Sequence, residues 1–501
     1  MPVLIRLLLL SVLAALLLLR RRSVLLKRRF TSVLAVLAGA ALVGHIEWKP
    51  FVPIHYPEFF HYYLNTKHFA ELGYAGLYDA SVRAESEDAP DGTSGDGAVR
   101  SLETYAFMPR DESLRRSEPV RARFSAPRWA AFKEDVAYFR ARAPDLWRSG
   151  ALVQDHGYNG TPLVTAVLGG LARQPLLPTD MFITTAAWLD LALLIAAAWF
   201  VARWIGARQA LLFVFLWAAN PFNDYAMTGG AYLRHLHVFV LLAALAAWRV
   251  KRGMLSGTLF SIAVLLRVFP IFLVAGMLTR DLLRRDRAAV LRSHRAFYGS
   301  LAAGLTTLVL LTSLLPSPGG GGPWGAFLGK IGLHAGKLSP NVISLRYPFM
   351  YAGSHNAAAL VRDWQEGRPR NWIDASQKTF AARFPLYAGL VAGLMVALAF
   401  FLRAGSTGDG WLAGLITVFM ASHLSHYDYV VLSLVPFFFR EPWRALLPLL
   451  AAWMAAALWC LLPSPGAIVD LKFCGLSVIL AAGLGALVAL RSRTPAPGSP
   501  A

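Results

Sequence analysis

The residues best suited to acid–base chemistry lie in the stretch HYPEFFHYYLNTKHF, which begins at His55. Polar side chains recur there every three or four positions, so that on a helix they share one face; they are Glu58, His61, Asn65 and His68. The aromatic residues between them turn elsewhere, which is typical of an amphipathic helix lying along a membrane interface. We expect Glu58, with His61 beside it, to act as a general base towards an incoming hydroxyl. An aromatic belt beside a solvated glutamate is the alternative.

Arginines in or beside apolar segments are the candidates for binding a phosphate group. Arg267 lies inside an apolar run, where a charged side chain needs a partner, either a structural ion pair or a lipid phosphate. Arg234 and His235 join two apolar runs, and a guanidinium holds phosphate through its planar fork of donors. A capped turn in which Asp224 pairs with Arg234 is the other interpretation. Arg346, in the stretch KLSPNVISLRYPFMY, is a further candidate.

Two more clusters combine histidine with a carboxylate. Asp155 and His156, in DHGYNGTPL, could pair as an acid and its orienting group, or share a metal. The spacing of His423 and His426, with Asp428 close by, resembles adjacent metal ligands on a helix, but a polar turn between two membrane spans is the favoured interpretation. We therefore predict no cofactor, while a divalent metal remains compatible with the sequence.

The sequence motifs of several common enzyme and transporter classes are absent from this chain. The chain has no HExxH, no Walker motif, no GxSxG and no dinucleotide fingerprint. An ATP-driven pump and the common hydrolases are therefore not indicated. The two cysteines, Cys460 and Cys474, give neither a disulfide framework nor metal-ligand spacing.

The elements that position these residues are apolar helices. Of the 501 residues, 56% are hydrophobic and only 16% are charged, which leaves too little polar surface for a soluble protein of this size. Many apolar runs approach the length that a helix needs to cross a bilayer. The sequence predicts an all-α, polytopic transmembrane protein with about 11–13 spans.

Long polar stretches divide the chain between these runs. We predict N-terminal spans over 1–47, a first external loop with juxtamembrane helices over 48–179, and a transmembrane core over 180–316. A second external loop over 317–383 precedes C-terminal transmembrane helices over 384–490 and a disordered tail over 491–501.

The net charge of +20 sits mainly in short clusters between apolar runs, such as RVKRG and RDLLRRDR. Such clusters mark the cytoplasmic side and do not indicate nucleic-acid binding. The run from Met254 to Arg280 has basic clusters at both ends, so that a single crossing contradicts this rule. Pro270 offers a break, and two half-helices with Arg267 at their tip would resolve the conflict.

In this order, these features resemble the GT-C superfamily of membrane glycosyltransferases, and in particular the polyprenyl-phosphate-mannose-dependent mannosyltransferases of the phosphatidylinositol-mannoside and GPI type. The resemblance rests on HYPEFFHYYLNTKHF with GYAGLYDA, on YNGTPLVTAVLGGLA, and above all on GTLFSIAVLLRVFPIFLVAGML. The family usually has Asp where this chain has Glu58, and Glu47 in HIEWKP is a rival for the role of base.

The resemblance implies a hexosyltransferase that moves a mannose-like hexose or a pentose from a polyprenyl phosphate to a hydroxyl of a lipid or glycan, with inversion. Glu58 and His61 would be catalytic. The substrate- and phosphate-binding residues would be Arg234, His235, Arg267, Arg346, Tyr62, Asp155 and His156. The expected location is a bacterial inner membrane, with the site facing outwards and taking part in building the cell envelope. The alternative is a transporter or flippase of lipids or lipid-linked sugars, without chemistry.

Overall fold

The computed structural model describes residues 2–20, 23–46, 54–88, 98–173, 179–223, 229–318, 321–335, 342–353, 370–421, 424–439, 442–462 and 469–492. These parts of the chain are helical, apart from two small two-stranded antiparallel sheets. The all-α class predicted from the sequence is confirmed.

Four helices are long and apolar enough to cross a membrane. They are Thr179–Trp204, Arg295–Thr312, Arg370–Ala404 (over Ala375–Ala404) and Val469–Ser492 (over Leu471–Ser492). The other helices of the apolar part are Val3–Leu19, Val24–His45, Pro162–Ala172, Ala207–Ala219, Leu236–Arg249, Gly253–Leu266, Pro270–Leu283, Arg287–Ser293, Thr407–Ala421 and Pro442–Leu461, together with the 3₁₀ helix His426–Phe438. One large hydrophobic core joins most of them.

The apolar run from Met254 to Arg280 is broken as predicted. The helix Gly253–Leu266 ends at Arg267, whose backbone is extended, and Pro270 opens the helix Pro270–Leu283. Proline is favoured at this position because its missing N–H has no partner in a helix's first turn. Each half has 14 residues, about 21 Å of helix, which is shorter than the hydrocarbon core of about 30 Å.

Glycines let these half-helices pack closely against their neighbours. A methyl group on Gly414 would lie 2.1 Å from the carbonyl oxygen of Phe272, and one on Gly276 would lie 2.2 Å from the carbonyl oxygen of Gly410. The second half-helix therefore lies almost backbone to backbone with Thr407–Ala421, as small residues allow in membrane proteins.

A second hydrophobic core is formed mainly by the predicted first external loop. Its helical segments are Tyr56–Glu58, the π-helical turn Phe59–Leu64, Asn65–Lys67, Phe69–Leu72, Leu77–Asp88, Arg110–Arg121, Ala126–Arg142, Pro144–Arg148 and Ala151–Gln154. The strands Val99–Arg100 and Phe107–Met108 pair beside them. This part of the chain is folded around its own core and is not an open loop.

The stretch around Glu58 corrects the prediction of an interfacial amphipathic helix. Every residue from Glu58 to Thr66 is buried, and Phe60 packs edge-on against Phe139 and Trp147 instead of reaching towards lipid. The turn Phe59–Leu64 is a π helix, whose wider turn displaces the side chains from the predicted stripe. His68 binds Asp135 and takes no part in a common face with Glu58.

The second predicted loop is also partly helical. It contains Gly322–Ala335 and Tyr347–Met350, and the long helix Arg370–Ala404 begins inside it. The strand Val342–Ile343 pairs with Leu424–Ser425, immediately before the 3₁₀ helix. This pairing ties the loop to the segment that carries Tyr427 and Asp428.

Candidate functional site

A cavity of about 660 Å³ lies where the second hydrophobic core meets the apolar helices. Residues from seven separate parts of the sequence line it, including eight that the sequence analysis singled out: Glu58, His61, Tyr62, Asp155, His156, Arg234, Arg267 and Asp428. Its lining combines apolar and ionisable side chains, which is the usual composition of a ligand site.

Glu58 and Arg234 form an ion pair in the wall of this cavity, through Oε2 and Nη2. The Glu58 residue is only 3% exposed, and its other oxygen, Oε1, has no hydrogen-bond partner among the described residues. The Arg234 guanidinium also covers the ring of Tyr427 at 4.5 Å. The charge of Glu58 is therefore balanced by Arg234, and its second oxygen is buried without a hydrogen bond to the described residues.

The backbone at Glu58 is fixed by a local cap. His55 precedes the short helix Tyr56–Glu58, and its Nδ1 accepts a hydrogen bond from the Glu58 N–H at 3.2 Å. Burial and the neighbouring Arg234 charge lower the pKa of His55 to about 4, so that near neutral pH the ring is uncharged and can accept this bond. The cap sets the direction in which Glu58 enters the cavity.

Arg267 reaches the same cavity from the break between the two half-helices. Its side chain makes no ion pair and no hydrogen bond within the described parts of the chain. Its electrostatic interactions are with the charges of Asp428, Arg234 and Glu58. A half-buried guanidinium that lines a cavity is able to bind an anion.

The loop from Asp155 to Thr161 forms another wall of the cavity. The Tyr158 hydroxyl is 2.8 Å from the Thr165 hydroxyl, and the Tyr74 hydroxyl donates to the carbonyl oxygen of Gly160. The Thr161 side chain caps Pro162–Ala172 and donates to the carbonyl oxygen of Leu265, close to Arg267. These bonds hold the loop in one arrangement against the half-helix.

Asp155 is the centre of a polar cluster on this wall. Its carboxylate lies 3.2 Å from Nδ1 of His156 and 3.7 Å from Nδ1 of His61. His61 is held from its other side, because Nε2 lies 3.0 Å from the carbonyl oxygen of Leu152 and 2.8 Å from the hydroxyl of Tyr78. His61 thus contacts Asp155, while Arg234 is the ion-pair partner of Glu58.

Other residues of the wall were not predicted from the sequence. They include Asn159, whose side-chain oxygen accepts a hydrogen bond from Tyr62, and His334, whose ring packs 5.5 Å from that of His156. Asn159 lies in a predicted motif and could have been found there. His334 lies far along the chain in a mainly apolar helix that also contains Lys330, and nothing in its local sequence connects it with Asp155.

Several predicted site residues lie elsewhere or outside the described residues. His235 does not line the cavity, and its Nδ1 is 3.8 Å from the buried Asp190. Arg346 lies over the ring of Phe380 at 4.1 Å, and His426 packs against Phe473. Glu47, Asp224 and His423 lie outside the described residues.

No three His, Cys, Asp or Glu side chains in the described ranges are arranged to hold a metal ion. Of the three weaker metal candidates, His426 and Asp428 fall within those ranges, and only Asp428 lines the cavity.

The arrangement can bind an anion beside a carboxylate. Arg267 and Arg234 supply two guanidinium groups, and Glu58 supplies an oxygen able to accept a proton. A buried, partly apolar setting strengthens both interactions relative to water. Comparison with protein-family models, with curated proteins and with solved structures found no match to this chain, so that its function is argued from this geometry.

Proposed function

We propose that this protein is a membrane glycosyltransferase that moves a sugar from a polyprenyl phosphate to a hydroxyl group of a lipid or glycan acceptor. The observation that carries this proposal is the presence in one cavity of Glu58 and of Arg267, whose side chain makes no ion pair with the described residues. A base for a hydroxyl and a cation for a phosphate are the two charged groups that such a transfer requires.

In the proposed step, the acceptor hydroxyl gives its proton to Oε1 of Glu58 and its oxygen attacks the anomeric carbon. The bond from that carbon to the phosphate oxygen breaks, and polyprenyl phosphate leaves with the bonding electron pair. The attack comes from the face opposite the leaving group, which inverts the anomeric configuration. Arg267 meets the charge that develops on the phosphate.

Arg234 has two roles in this proposal. In the ion pair it neutralises Glu58. A donor phosphate would compete for the same guanidinium, since a fork of five N–H groups can serve two anions. The phosphate would thereby weaken the electrostatic stabilisation of the Glu58 carboxylate by Arg234, so that Glu58 becomes a stronger base when the donor is bound.

The surroundings fit a lipid-linked donor. The cavity adjoins the half-helix Gly253–Leu266, which packs against the apolar helix Arg295–Thr312 through Gly257. A polyprenyl chain could remain among such helices while its phosphate reaches Arg267. The proposal includes several membrane crossings, with the cavity at the external face and the basic clusters at the cytoplasmic face.

The test measures release of free polyprenyl phosphate by the purified protein, supplied with a panel of polyprenyl-phosphate sugars and a lipid acceptor extract. Wild type is compared with Glu58→Gln and Arg267→Gln. Glu112→Gln is the matched control, because this carboxylate forms an exposed ion pair with Arg115 outside the cavity. We expect release to fall at least 100-fold in both cavity variants and to remain unchanged in the control.

Two results would contradict the proposal. Equal release by wild type and Glu58→Gln would remove Glu58 from the role of base. Absence of release from every donor, together with movement of intact lipid-linked sugar between the leaflets of reconstituted vesicles, would identify a flippase.

A further inference from the structure

A second cavity, of about 530 Å³, lies between the second hydrophobic core and the helix Gly322–Ala335. We call it the Lys330 cavity, and the cavity of Glu58 and Arg267 the Glu58 cavity. No described residue lines both of them. Glycine and alanine leave space for a ligand in the Lys330 cavity, at Gly73, Ala75, Gly76, Ala326 and Gly329. Its volume suits a small molecule.

Among the described residues, three cations and two carboxylates line the Lys330 cavity; they are Arg116, Arg123, Lys330, Asp79 and Glu103. Both carboxylates already have partners. Arg116 forms an ion pair with Glu103 and lies 3.6 Å from Asp79. The Asp79 carboxylate also accepts a hydrogen bond from the Ser113 hydroxyl at 2.6 Å. The excess of positive charge is therefore carried by Arg123 and Lys330.

Arg123 and Lys330 make no ion pair within the described parts of the chain. Arg123 donates to the carbonyl oxygen of Glu71 at 3.2 Å, and Lys330 donates to that of Leu102 at 3.1 Å. Each side chain keeps further N–H donors. Burial, with the nearby Arg100 charge, lowers the pKa of Lys330 to about 7, and an anion beside the amine would favour its charged form.

Much of the remaining lining of the Lys330 cavity is apolar, at Leu72, Leu102, Pro119, Val120, Pro318 and Leu333. An inorganic anion would contact the cations and leave this surface unused, whereas an amine would be repelled by the cations. A small molecule that joins an anionic group to an apolar body complements both parts of the wall.

The Lys330 cavity is also connected with the Glu58 cavity through the loop Asp155–Thr161. Tyr74 lines the Lys330 cavity, and its hydroxyl donates to the carbonyl oxygen of Gly160 in this loop. Leu102 lines it too, and a methyl group on Gly157 would lie 2.8 Å from the Leu102 side chain. A ligand that packs against Tyr74 and Leu102 would therefore restrain two residues that hold the loop in place.

We propose that the Lys330 cavity binds a small organic anion, a phosphate or carboxylate on an apolar body, and that the bound anion rigidifies the loop Asp155–Thr161. Such a ligand would regulate the Glu58 cavity from outside it, as a coupling between two separate sites. The inference does not require the proposed function, because it rests on the Lys330 cavity and its contacts with the loop.

The first test measures binding to the full chain by saturation-transfer NMR, in phosphatidylcholine nanodiscs at about pH 6.5, where Lys330 is charged. The probes are phenyl phosphate, benzoate, phenol and benzylamine, which share one ring and differ in charge. Every protein carries Arg267→Gln, which weakens anion binding in the Glu58 cavity.

Three further substitutions are compared in this parent protein. Lys330→Met and Arg123→Gln each remove one cation. Gly329→Leu fills the cavity, because nothing lies within 4 Å of a methyl group added to Gly329. Gly325→Leu is the matched control, since Gly325 has the same open space in the same helix but lines neither cavity. Gel filtration checks that every variant is folded.

We expect phenyl phosphate or benzoate to bind the parent and Gly325→Leu alike, and to bind about ten-fold more weakly to Lys330→Met, Arg123→Gln and Gly329→Leu. Phenol and benzylamine should bind more weakly than the anions to the parent. The inference is overturned if neither anion binds the parent, if Gly329→Leu binds both anions as well as Gly325→Leu does, or if benzylamine binds better than both.

The second test measures hydrogen–deuterium exchange of the loop Asp155–Thr161 with and without the anion that binds. Exchange should become slower in the parent and remain unchanged in Gly329→Leu. Tyr74→Phe, which removes the hydrogen bond to Gly160, should bind the anion but lose much of this slowing. Binding to the parent without slower exchange would overturn the regulatory part of the inference.

The natural anion could be soluble or belong to a lipid, because Ser317 and Pro318 line the cavity just after the candidate span Arg295–Thr312. Nanodiscs that contain phosphatidic acid separate these sources. Displacement of the bound probe by this lipid would support the site and identify a lipid headgroup, whereas undiminished binding would support a site for a soluble anion.

Discussion

At the scale of single residues, the pair of Glu58 and Arg234 joins two positions that are 176 residues apart. Burying both charges has a desolvation cost. Removing one partner would have a further cost, because the other charge would remain buried without a counter-charge. Glu58 could be chosen from the sequence because its stretch has an unusual composition. Its partner, Arg234, could not be identified in the same way, because the sequence offered Asp224 as an equally good partner for that arginine.

Removing Arg234 should therefore destabilise the protein. We expect Arg234→Met to lower the free energy of unfolding by about 3–5 kcal/mol, because Glu58 then remains buried without a counter-charge. The double variant Arg234→Met/Glu58→Gln should regain part of this loss. Urea unfolding of the detergent-solubilised protein measures these changes in stability. Arg148→Met is the control, because it breaks only an exposed ion pair with Asp145 and should leave the stability nearly unchanged. If Arg234→Met is as stable as wild type, the ion pair is not needed for stability.

Lys330 predicts a pH dependence of stability. This side chain is 5% exposed and donates to the carbonyl oxygen of Leu102, and burial, with the nearby Arg100 charge, lowers its pKa from 10.5 to about 7. Between these two values the unfolded chain binds more protons than the folded one, so the contribution of Lys330 to stability rises with pH from about 7 to about 10.5.

The check compares the melting temperature of wild type and Lys330→Met at pH 6.5 and pH 9.5. Wild type should gain stability relative to the variant as the pH rises, by about 3 kcal/mol in the free energy of unfolding. Parallel pH profiles for the two proteins would mean that Lys330 is charged in the folded state.

At the scale of elements, hydropathy predicts the positions of most apolar helices, and the proline with its flanking basic clusters predicts the break at Arg267. Other features depend on tertiary packing and leave no local signal. The stretch from Glu58 to Thr66 is buried on every side, although its sequence is polar enough for an interface. The segment His426–Phe438 forms a 3₁₀ helix of 13 residues, which is far longer than such helices usually are and which periodicity alone does not distinguish from an α helix.

Glycine packing at the second half-helix gives a test at this scale. We expect Gly414→Ala to reduce stability by about 1–3 kcal/mol, because the added methyl group would overlap the backbone at Phe272. Gly393→Ala is the matched control, since that glycine lies in the helix Arg370–Ala404 with open space around it, and alanine there favours the helix slightly. Thermal unfolding followed by gel filtration measures both. An equal effect of the two substitutions would show that the close approach is not required.

At the scale of the whole molecule, two cores meet at one cavity, and the basic clusters flanking the broken run should lie on the same side of the membrane. Single cysteines at Lys251, Arg285 and Asp145 test this in a background without Cys460 and Cys474. All three positions are exposed, so that a reagent that cannot cross membranes can reach them from the correct side.

We expect the cysteine at Asp145 to be labelled in intact cells, and those at Lys251 and Arg285 to be labelled only after the cells are permeabilised. Labelling of Lys251→Cys and Arg285→Cys from opposite sides would mean that the two half-helices together cross the membrane once. The second hydrophobic core would then lie on its side of the membrane through a different arrangement of crossings.

The charged groups of the cavity come from places where regular helices stop. Glu58 precedes a π-helical turn, Arg234 precedes the helix Leu236–Arg249, and Arg267 lies in the gap between two half-helices. The long helices hold these places in position but contribute few of the charges themselves. Over evolutionary time, their lipid-facing residues could therefore be exchanged among apolar types with little consequence, while the short irregular segments remain constrained. Descendants of a common ancestor would then share a handful of scattered positions and otherwise show little sequence in common.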